Sequence, residues 1–447
     1  MTSSLNNFLS KSQQAMDFSP EQQAVFDAYR TGKNVFVTGP GGTGKSHLIR
    51  AIYKDAIDMG KQIQVCALTG CAAILLNCNA KTVHSWAKIG LGNGSPDAIL
   101  QKILRFKKTK PWLSTNLLIV DEVSMMSMKI FELLDYLGQK IRKNTRPFGG
   151  IQLIFSGDFF QLPPVPDRDD ADTGKFCFES ARWSATFDTQ IELKTNFRQS
   201  DGDFARILNQ IRIGKLYKSG FEMLKARVGM DASGSLVKPI KLFPRKYSVD
   251  TINQVEMSKI GDEEQVFKAT LVKDGVDPRV SPEAIADEEA YLRKNALFED
   301  EVRLKKGAQV MCIANVDMDV ARICNGSVGV ILEFVATPAG PFPLVKFNNG
   351  AERIMTRHCW PSENIEGLAL AQVPLILAWA VTIHKSQGAT LDLMEIDVGS
   401  DVFEYGQTYV GLSRARSLEG LYIKSFVPEK IKVNPKVQAF YEKMNAK

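Results

Sequence analysis

The stretch VFVTGPGGTGKSHLIR, residues 35–50, decides the fold class of the amino-terminal half of the chain. It begins as a short apolar strand, turns on glycines and a proline, and continues with the apolar spacing of an amphipathic helix. The turn matches the P-loop pattern, in which backbone N–H groups cradle phosphate oxygens, a lysine reaches the terminal phosphates and a serine ligates Mg²⁺. The stretch therefore predicts a phosphate and magnesium site. Its residues are Gly39, Gly41, Gly42, Thr43, Gly44, Lys45 and Ser46.

Acidic residues follow another apolar strand, in the stretch LLIVDEVSM at 117–125. Carboxylates at the end of a buried strand are costly, which favours a functional role for them. Asp121 can hold the Mg²⁺ shell, and Glu122 can orient and polarise an attacking water. A further strand ends in SGDFFQLPPV at 156–165, where Gln161 can sense a γ-phosphate; a polar loop without function is the alternative for this glutamine. The acids predict hydrolysis rather than phosphate transfer to a second substrate.

Phosphoryl transfer also needs cations that neutralise charge on the transferred phosphate. Arg198 in TNFRQ and Arg414 in YVGLSRAR are the candidates. Either arginine alone would more often form a surface ion pair. Arg198 follows the apolar strands of the amino-terminal half, and Arg414 lies among a second group of such strands near the carboxyl end. Together they predict an ATP site in a cleft between two domains.

The pattern of strands predicts more than one domain. From residue 34 to 194, short strands that are apolar on both faces alternate with helical stretches, which is typical of a parallel sheet covered by helices. A second set of such strands follows, and between its members residues 309–358 form short β runs punctuated by Gly and Pro. Closely spaced runs of this kind suggest a small antiparallel barrel. The predicted fold class is α/β, with a P-loop ATPase core, a second parallel-sheet domain and a small barrel inserted in that second domain.

The composition limits the class of protein. The chain has 447 residues, enough for roughly two to four domains, and a formal net charge of +6, which is compatible with a polyanionic partner. No apolar run approaches the roughly 20 residues of a transmembrane helix, so no membrane is expected among its partners. The basic stretch 101–110 fits either a solvated face or a surface that faces nucleic acid.

The cysteines and the first residues indicate the compartment. Seven cysteines form no C-x-x-C pair, and residues 1–17 lack the features of a secretory signal or transit peptide. We therefore expect reduced thiols and an intracellular protein, cytoplasmic if bacterial or phage-encoded and nuclear if eukaryotic or viral. Cys71, Cys78 and His84 could be imagined as metal ligands, but their irregular spacing is more typical of packing residues.

The order of motifs resembles that of superfamily one DNA helicases. Within that superfamily it is similar to the Pif (petite integration frequency) helicases, relatives of RecD and Dda. The match runs from about residue 18 to 426, and GDFFQLPPV and IHKSQGATL are its most specific motifs. The chain departs from the family at Leu68, where Ser is usual, and at Gly411, where Ala is usual. The other matching motifs are FSPEQQAVF, GPGGTGKS, LTGCAA, TVHSWAKIG, VDEVSMM, NFRQ and YVGLSRA.

The resemblance implies an ATP- and Mg²⁺-dependent DNA helicase. It would translocate 5′ to 3′ on single-stranded DNA and unwind duplex in replication, repair or recombination. Its implied partners are single-stranded and forked DNA, bound by a monomer, with G-quadruplexes and RNA–DNA hybrids as further candidate substrates. Gln22 would read the adenine. The residues acting in hydrolysis would be Lys45, Glu122, Gln161, Arg198 and Arg414. The residues along the single strand would be Thr69, Gly70, His84, Ser85, His384, Lys385 and Ser386.

The resemblance also implies a division into domains, while two other functions stay open. A translocase that displaces proteins without unwinding duplex would keep every ATPase motif, and a P-loop ATPase acting on proteins would not respond to DNA. The implied domains are a flexible tail at 1–17, a first RecA-like core at 18–198 with a wedge loop around 90–112, a second RecA-like core at 199–324 and 373–447, and an SH3-like barrel at 325–372.

Overall fold

The computed structural model describes residues 18–76, 78–90, 92–166, 170–198, 201–230, 238–295, 298–317, 321, 323–362, 364–383, 385–386 and 390–446. The predicted tail at 1–17 and the candidate His384 lie outside these ranges. The described α-helices are α1 (Pro20–Arg30), α2 (Lys45–Asp58), α3 (Gly70–Leu76), α4 (Val83–Ala87), α5 (Pro96–Arg105), α6 (Lys110–Ser114), α7 (Met128–Arg142), α8 (Trp183–Thr186), α9 (Gly202–Arg212), α10 (Lys218–Lys225), α11 (Lys246–Ser258), α12 (Pro282–Asn295), α13 (Gln407–Leu412) and α14 (Pro435–Asn445). The described strands are β1 (Val35–Thr38), β2 (Ile63–Ala67), β3 (Lys81–Thr82), β4 (Leu117–Asp121), β5 (Gln152–Ser156), β6 (Thr189–Glu192), β7 (Ile240–Phe243), β8 (Gln265–Lys268), β9 (Thr270–Lys273), β10 (Glu301–Leu304), β11 (Gln309–Cys312), β12 (Val328–Thr337), β13 (Gly340–Phe347), β14 (Glu352–Ile354), β15 (His358–Pro361), β16 (Leu368–Gln372), β17 (Leu375–Leu377), β18 (Ala380–Thr382), β19 (Met394–Val398) and β20 (Leu421–Phe426).

The first core is built on a parallel sheet. Among the described residues it contains six strands in the order β3-β2-β4-β5-β1-β6, and every neighbouring pair is parallel. Strands β1 and β4 are buried along their whole length, which explains their continuous apolar sequence. Because the strands run in one direction, the residues after their carboxyl ends lie at one edge of the sheet, where ligands bind in such folds. The P-loop, Asp121 and Asp158 lie at this edge.

The second core is built on a second parallel sheet, with the described strands in the order β18-β7-β19-β20. Helices α9 and α13 pack on it through buried apolar residues such as Phe204 and Val410. All residues of α13 are buried, so the sheet holds this helix and the Arg414 that follows it. The predicted α/β class with RecA-like cores is confirmed.

Antiparallel strands lie in the sequence between β7 and β18. The described sheets are β14-β13-β12-β11-β17, β15-β16-β9 and the pair β10-β8. Their strands extend from residue 265 to 377, beyond the predicted barrel at 325–372, because β8 to β11 and β17 supply pairing partners from outside that range. Residues such as Val310, Val345 and Leu375 form the core of the five-stranded sheet and the β10-β8 pair, whereas Leu370 of β16 packs in a separate cluster with Phe298 and Ile313. The SH3-like identity of this region stays a prediction.

Helix α14 packs against the first core, although the sequence assigned residues 373–447 to the second. Val437 and Tyr441 belong to the same buried cluster as Phe36 of β1 and Phe155 of β5, and Phe440 packs against it. The apolar residues of α14 recur at the spacing of one helical face. This face is covered by the first core, so the chain returns there after completing the second sheet.

The segment around 90–112, predicted as a wedge loop, is largely helical in its described part. Helix α5 buries Ile99, Leu100 and Ile103, and Trp112 of α6 packs on Trp86 with ring centroids 4.6 Å apart. The cations of the basic stretch are exposed; they are Lys102, Arg105, Lys107, Lys108 and Lys110. The apolar side of the segment is therefore anchored and its basic side faces solvent.

Within the described ranges, no helix is both long and apolar enough to cross a membrane. The described His, Cys, Asp and Glu side chains also form no group of three or more that could hold a metal ion.

Candidate nucleotide site and strand-binding surface

The P-loop connects β1 to α2 and curls around the side chain of Lys45. The ammonium nitrogen of Lys45 donates to the carbonyl oxygens of Gly39 and Pro40 at 2.6 and 3.0 Å. Gly44 caps α2 with φ of 79°, and a Cβ atom there would lie 2.6 Å from Nε2 of Gln22. Only glycine fits this conformation and this approach. The loop therefore presents its amides and the start of α2 at the edge of the sheet.

Gln22 and Phe197 flank the start of α2. Gln22 is 1% exposed, accepts from the backbone N–H of Ser19 at 3.0 Å, and donates to the carbonyl of Thr43 at 3.2 Å. The ring of Phe197 is 58% exposed and lies 3.5 Å from the place a Cβ atom on Gly44 would take. Sequence reasoning missed Phe197, although an aromatic residue inside NFRQ was a usable signal.

The acidic residues surround Lys45. Asp121 is the last residue of β4, and Glu122 follows with φ of 56° and ψ of 39°, a left-handed conformation that is strained for a residue with a side chain. Burial raises the pKa of Asp121. Burial lowers the pKa of Lys45, against the opposing effect of the charges of Asp158, Glu122 and Asp121. Carboxylates from two separate motifs therefore share one site with the P-loop lysine.

Arg198 and Arg414 converge on Gly41 of the P-loop. A Cβ atom on Gly41 would lie 3.6 Å from Nη1 of Arg198 and 3.9 Å from Nη2 of Arg414. The Nη1 atom of Arg198 is buried and makes no hydrogen bond within the described part of the chain. Burial lowers the pKa of Arg198, and burial together with the neighbouring charge of Arg198 lowers the pKa of Arg414 to about 10. Two desolvated cations side by side stabilise an anion bound between them.

The loop that carries Gln161 contacts the second core. Gln161 is 6% exposed, and its N–H donates to the carbonyl of Asp158 at 2.9 Å. The carbonyl oxygens of Phe160 and Gln161 lie 2.4 and 2.7 Å from the place a Cβ atom on Gly406 would take. Gly406 caps α13 and has φ of 71°. The loop and the helix that leads to Arg414 therefore meet with no room for a side chain at this position.

Tyr409, which sequence reasoning missed, joins the P-loop to the second core. Its hydroxyl oxygen accepts from the N–H of Gly41 at 2.9 Å and donates to Oδ2 of Asp158 at 3.4 Å. Asp158 is fully buried and forms an ion pair with Arg212 of α9. Tyr409 begins the motif YVGLSRAR, in which the sequence pointed to Arg414 as a candidate but gave no signal for the tyrosine.

One of the four residues of the first core that were predicted to contact single-stranded DNA lines a cavity. His84 lies in the wall of a cavity of about 290 Å³ together with Leu68, Met125, Pro164 and Val165. Burial lowers the pKa of His84, so its imidazole is neutral near pH 7. The other first-core predictions, which differ in accessibility, are Thr69, Gly70 and Ser85.

Thr69, Gly70 and Ser85 differ in how accessible they are to a ligand. Thr69 Oγ1 accepts from the N–H of Ala72 at 3.2 Å at the start of α3, and a Cβ atom on Gly70 would meet open space. Ser85 is 5% exposed, and its N–H donates to Thr82 Oγ1 at 3.3 Å. Gly70 is therefore open to a ligand, whereas Ser85 is enclosed.

The described predicted contacts of the second core are Lys385 and Ser386. Lys385 is exposed and lines a cavity of about 770 Å³ whose wall carries both basic and acidic side chains, among them Lys246, Lys305, Glu299 and Glu301. Ser386 is 1% exposed, and its hydroxyl donates to the carbonyl of Ile383 at 2.8 Å. Lys385 is thus accessible to a ligand, whereas the hydroxyl of Ser386 is committed to the backbone.

Comparison with known proteins gives the family. The model of the PIF1-like helicase family matches residues 17–220, and that of the DNA helicase Pif1 2B domain matches residues 291–334. An ATP-dependent DNA helicase Pif1 from Bdellovibrio bacteriovorus is 34% identical, over 96% of this chain and 92% of the relative. The chain belongs to the PIF1-like helicase family. An ATP-dependent DNA helicase PIF1 from Emericella nidulans is also 34% identical, over 99% of this chain and 65% of the relative. The chain thus spans about two thirds of the length of the curated eukaryotic PIF1 relatives and almost all of the bacterial one.

Solved structures of PIF1-like helicases cover nearly all of the chain. The crystal structure of Pif1 helicase from Candida albicans has a TM-score of 0.78 and 34% identity, over 96% of this chain and 100% of that chain. A Bacteroides Pif1 helicase in complex with ADP-AlF3 and ssDNA has a TM-score of 0.67 and 28% identity, over 96% and 97%. A structure described as two coordinating Pif1 helicases unwinding forked dsDNA has a TM-score of 0.69 and 29% identity, over 96% and 98%. The resemblance to the Pif helicases is confirmed.

Proposed function

We propose that this protein is an ATP- and Mg²⁺-dependent DNA helicase that moves 5′ to 3′ along a single strand and unwinds duplex. The observation that carries the proposal is the convergence of Arg198 and Arg414 on Gly41 of the P-loop. Arg414 follows a helix of the second core, so phosphates bound at the P-loop attract both cores to the same ligand. Binding and hydrolysis of ATP would then close and release the cleft between the cores.

The side chains at the site fit ATP and its metal ion. Phe197 offers an exposed ring for the adenine base. Gln22 would exchange its contact with the carbonyl of Thr43 for the base, and Lys45 would exchange its carbonyl contacts for phosphate oxygens. Ser46 and Asp121 supply the hydroxyl and carboxylate oxygens that Mg²⁺ prefers. The metal ion, when bound, neutralises charge on the β- and γ-phosphates. The remaining roles belong to Glu122, which would orient the attacking water, and to Gln161, which would sense the γ-phosphate.

The proposed DNA path uses one surface on each core. Gly70 is open on the first core, His84 lines a cavity there, and Lys385 lines a cavity on the second core. Relatives described as bound to ssDNA and as acting on forked dsDNA support both substrates. Two such surfaces whose affinities alternate as the cleft opens and closes move the protein along the strand. A DNA substrate agrees with an intracellular protein that serves replication, repair or recombination.

The test compares two partial duplexes, one with only a 5′ single-stranded tail and one with only a 3′ tail. With ATP and Mg²⁺ the 5′-tailed duplex is expected to unwind and the 3′-tailed duplex to stay intact; the matched control is Lys45→Ala, which lacks the phosphate contact. Preferential unwinding of the 3′-tailed substrate would overturn the polarity. If neither duplex is unwound but DNA still stimulates ATP hydrolysis, a translocase is favoured. If the rate of ATP hydrolysis is the same with and without DNA, an ATPase acting on proteins is favoured.

A further inference from the structure

Helix α14 inserts a tyrosine behind the P-loop strand. The hydroxyl oxygen of Tyr441 lies 2.5 Å from Oγ1 of Thr38, accepts from the N–H of Phe159 at 3.2 Å, and donates to Oδ1 of Asp158 at 3.4 Å. A tyrosine hydroxyl has one proton and accepts at most two hydrogen bonds. If Thr38 donates, all three capacities of the Tyr441 hydroxyl are used. Three hydrogen bonds therefore fix the position of this hydroxyl, in a residue that is only 4% exposed.

The carboxylate of Asp158 is held from several parts of the chain. Nε and Nη2 of Arg212 donate to Oδ1 at 3.1 and 3.0 Å, and Nε also donates to Oδ2 at 3.0 Å. The ring of Tyr441 stacks on Phe160 with centroids 4.5 Å apart, and the guanidinium of Arg212 lies over both rings, 4.6 Å from the centroid of Phe160 and 5.3 Å from that of Tyr441. A buried ion pair stabilises a fold only when its remaining hydrogen-bonding groups are satisfied. Tyr441 donates one of the hydrogen bonds that satisfy the carboxylate of Asp158.

This cluster touches the nucleotide site at two points. Thr38 is the last residue of β1, directly before Gly39 of the P-loop. Asp158 is one of the carboxylates whose charge acts on Lys45, and Tyr409 links Asp158 to the N–H of Gly41. A shift of Asp158 or Thr38 would therefore move the loop and the electrostatic surroundings of Lys45 together.

We propose that Tyr441 is a positioning residue for ATP hydrolysis, an inference that rests on the proposed function. Its hydroxyl holds Thr38 and Asp158 in place, and through them the P-loop and Lys45. A tyrosine that only anchored α14 would act through its ring, which packs in the first core with Phe440. The two roles differ because the hydroxyl can be removed while the ring is kept.

The experiment compares Tyr441→Phe with Phe440→Leu in the full chain. Tyr441→Phe removes only the hydroxyl, whereas Phe440→Leu weakens the packing of the same helix, where Phe440 stacks on Phe178 at 4.4 Å, and leaves every polar contact of Tyr441 intact. With single-stranded DNA at saturation, Tyr441→Phe is expected to lower kcat for ATP about tenfold, with the KM for ATP within about threefold of wild type. Phe440→Leu is expected to lower Tm at least as much as Tyr441→Phe does and to keep kcat within about twofold of wild type.

A second variant approaches the same contact from the other side. Thr38→Val removes the partner hydroxyl while keeping its shape, and combining it with Tyr441→Phe should lower kcat by less than the product of the two single effects. The inference is overturned if Tyr441→Phe hydrolyses ATP at the wild-type rate, if Phe440→Leu loses the same fraction of kcat, or if the two polar substitutions act independently. A wild-type protein that binds DNA but does not hydrolyse ATP would instead refute the proposed function, and the positioning role with it.

Discussion

Substituting Gly406 by alanine tests whether the contact between the two cores governs ATP hydrolysis. An added Cβ atom would lie 2.4 Å from the carbonyl oxygen of Phe160 and 2.7 Å from that of Gln161, whereas ordinary contacts begin near 3.4 Å. Both oxygens belong to backbone and cannot swing aside as a flexible side chain would. The loop and helix α13 must therefore separate, which moves Arg414 away from the P-loop.

The magnitude follows from a matched control. Gly275 has the same φ of 71° and nothing within 4 Å of an added Cβ atom, so Gly275→Ala introduces only the backbone strain, about 1 kcal/mol. Gly406→Ala carries the same strain plus an overpacking cost of about 1–3 kcal/mol. If that extra cost falls on the closed arrangement of the cores, hydrolysis drops roughly five- to 150-fold relative to the control.

The assay is steady-state ATP hydrolysis with saturating single-stranded DNA, with Tm measured for both variants. We expect a large difference in rate and a small difference in Tm, because separation of the cores relieves the clash without unfolding either of them. Equal rates for Gly406→Ala and Gly275→Ala would refute the reasoning, since the clash would then have no bearing on the reaction.

Other substitutions address the separate parts of the site. Lys45→Ala should abolish ATP hydrolysis and leave the Kd for single-stranded DNA within about twofold; equal losses in a hydrolysis assay and a DNA-binding titration would contradict separate sites. Glu122→Gln should stop hydrolysis while nucleotide binding, measured with a fluorescent ATP analogue, is retained, because only the water-orienting carboxylate changes; unchanged turnover would argue against that role. Replacing Lys107, Lys108 and Lys110 together by alanine should make the slope of log Kd against log salt shallower, by about 0.7 for each phosphate of the single strand that these lysines neutralise; an unchanged slope would identify this stretch as a solvated face.

The sequence by itself predicted most residues of the candidate nucleotide site. The P-loop, the Asp121–Glu122 pair at the end of β4 and the arginine in NFRQ each lie in a short stretch, and a short stretch is enough to fix a turn or the end of a strand. Apolar runs likewise revealed the parallel sheets, because a strand buried on both faces leaves no polar alternation. The order of the motifs indicated the family.

Tertiary structure alone decided which distant residues share that site. Tyr409 and Tyr441 reach Asp158 from helices whose local sequence gives no sign of a polar partner, since a buried tyrosine reads as core packing until its hydroxyl is located. The antiparallel region outgrew its predicted limits for a similar reason: β9 pairs with β16, and pairing between strands so far apart depends on the packing of the whole region. Local sequence fixes backbone conformation, whereas the return of α14 to the first core depends on which apolar face remains uncovered once both sheets have formed.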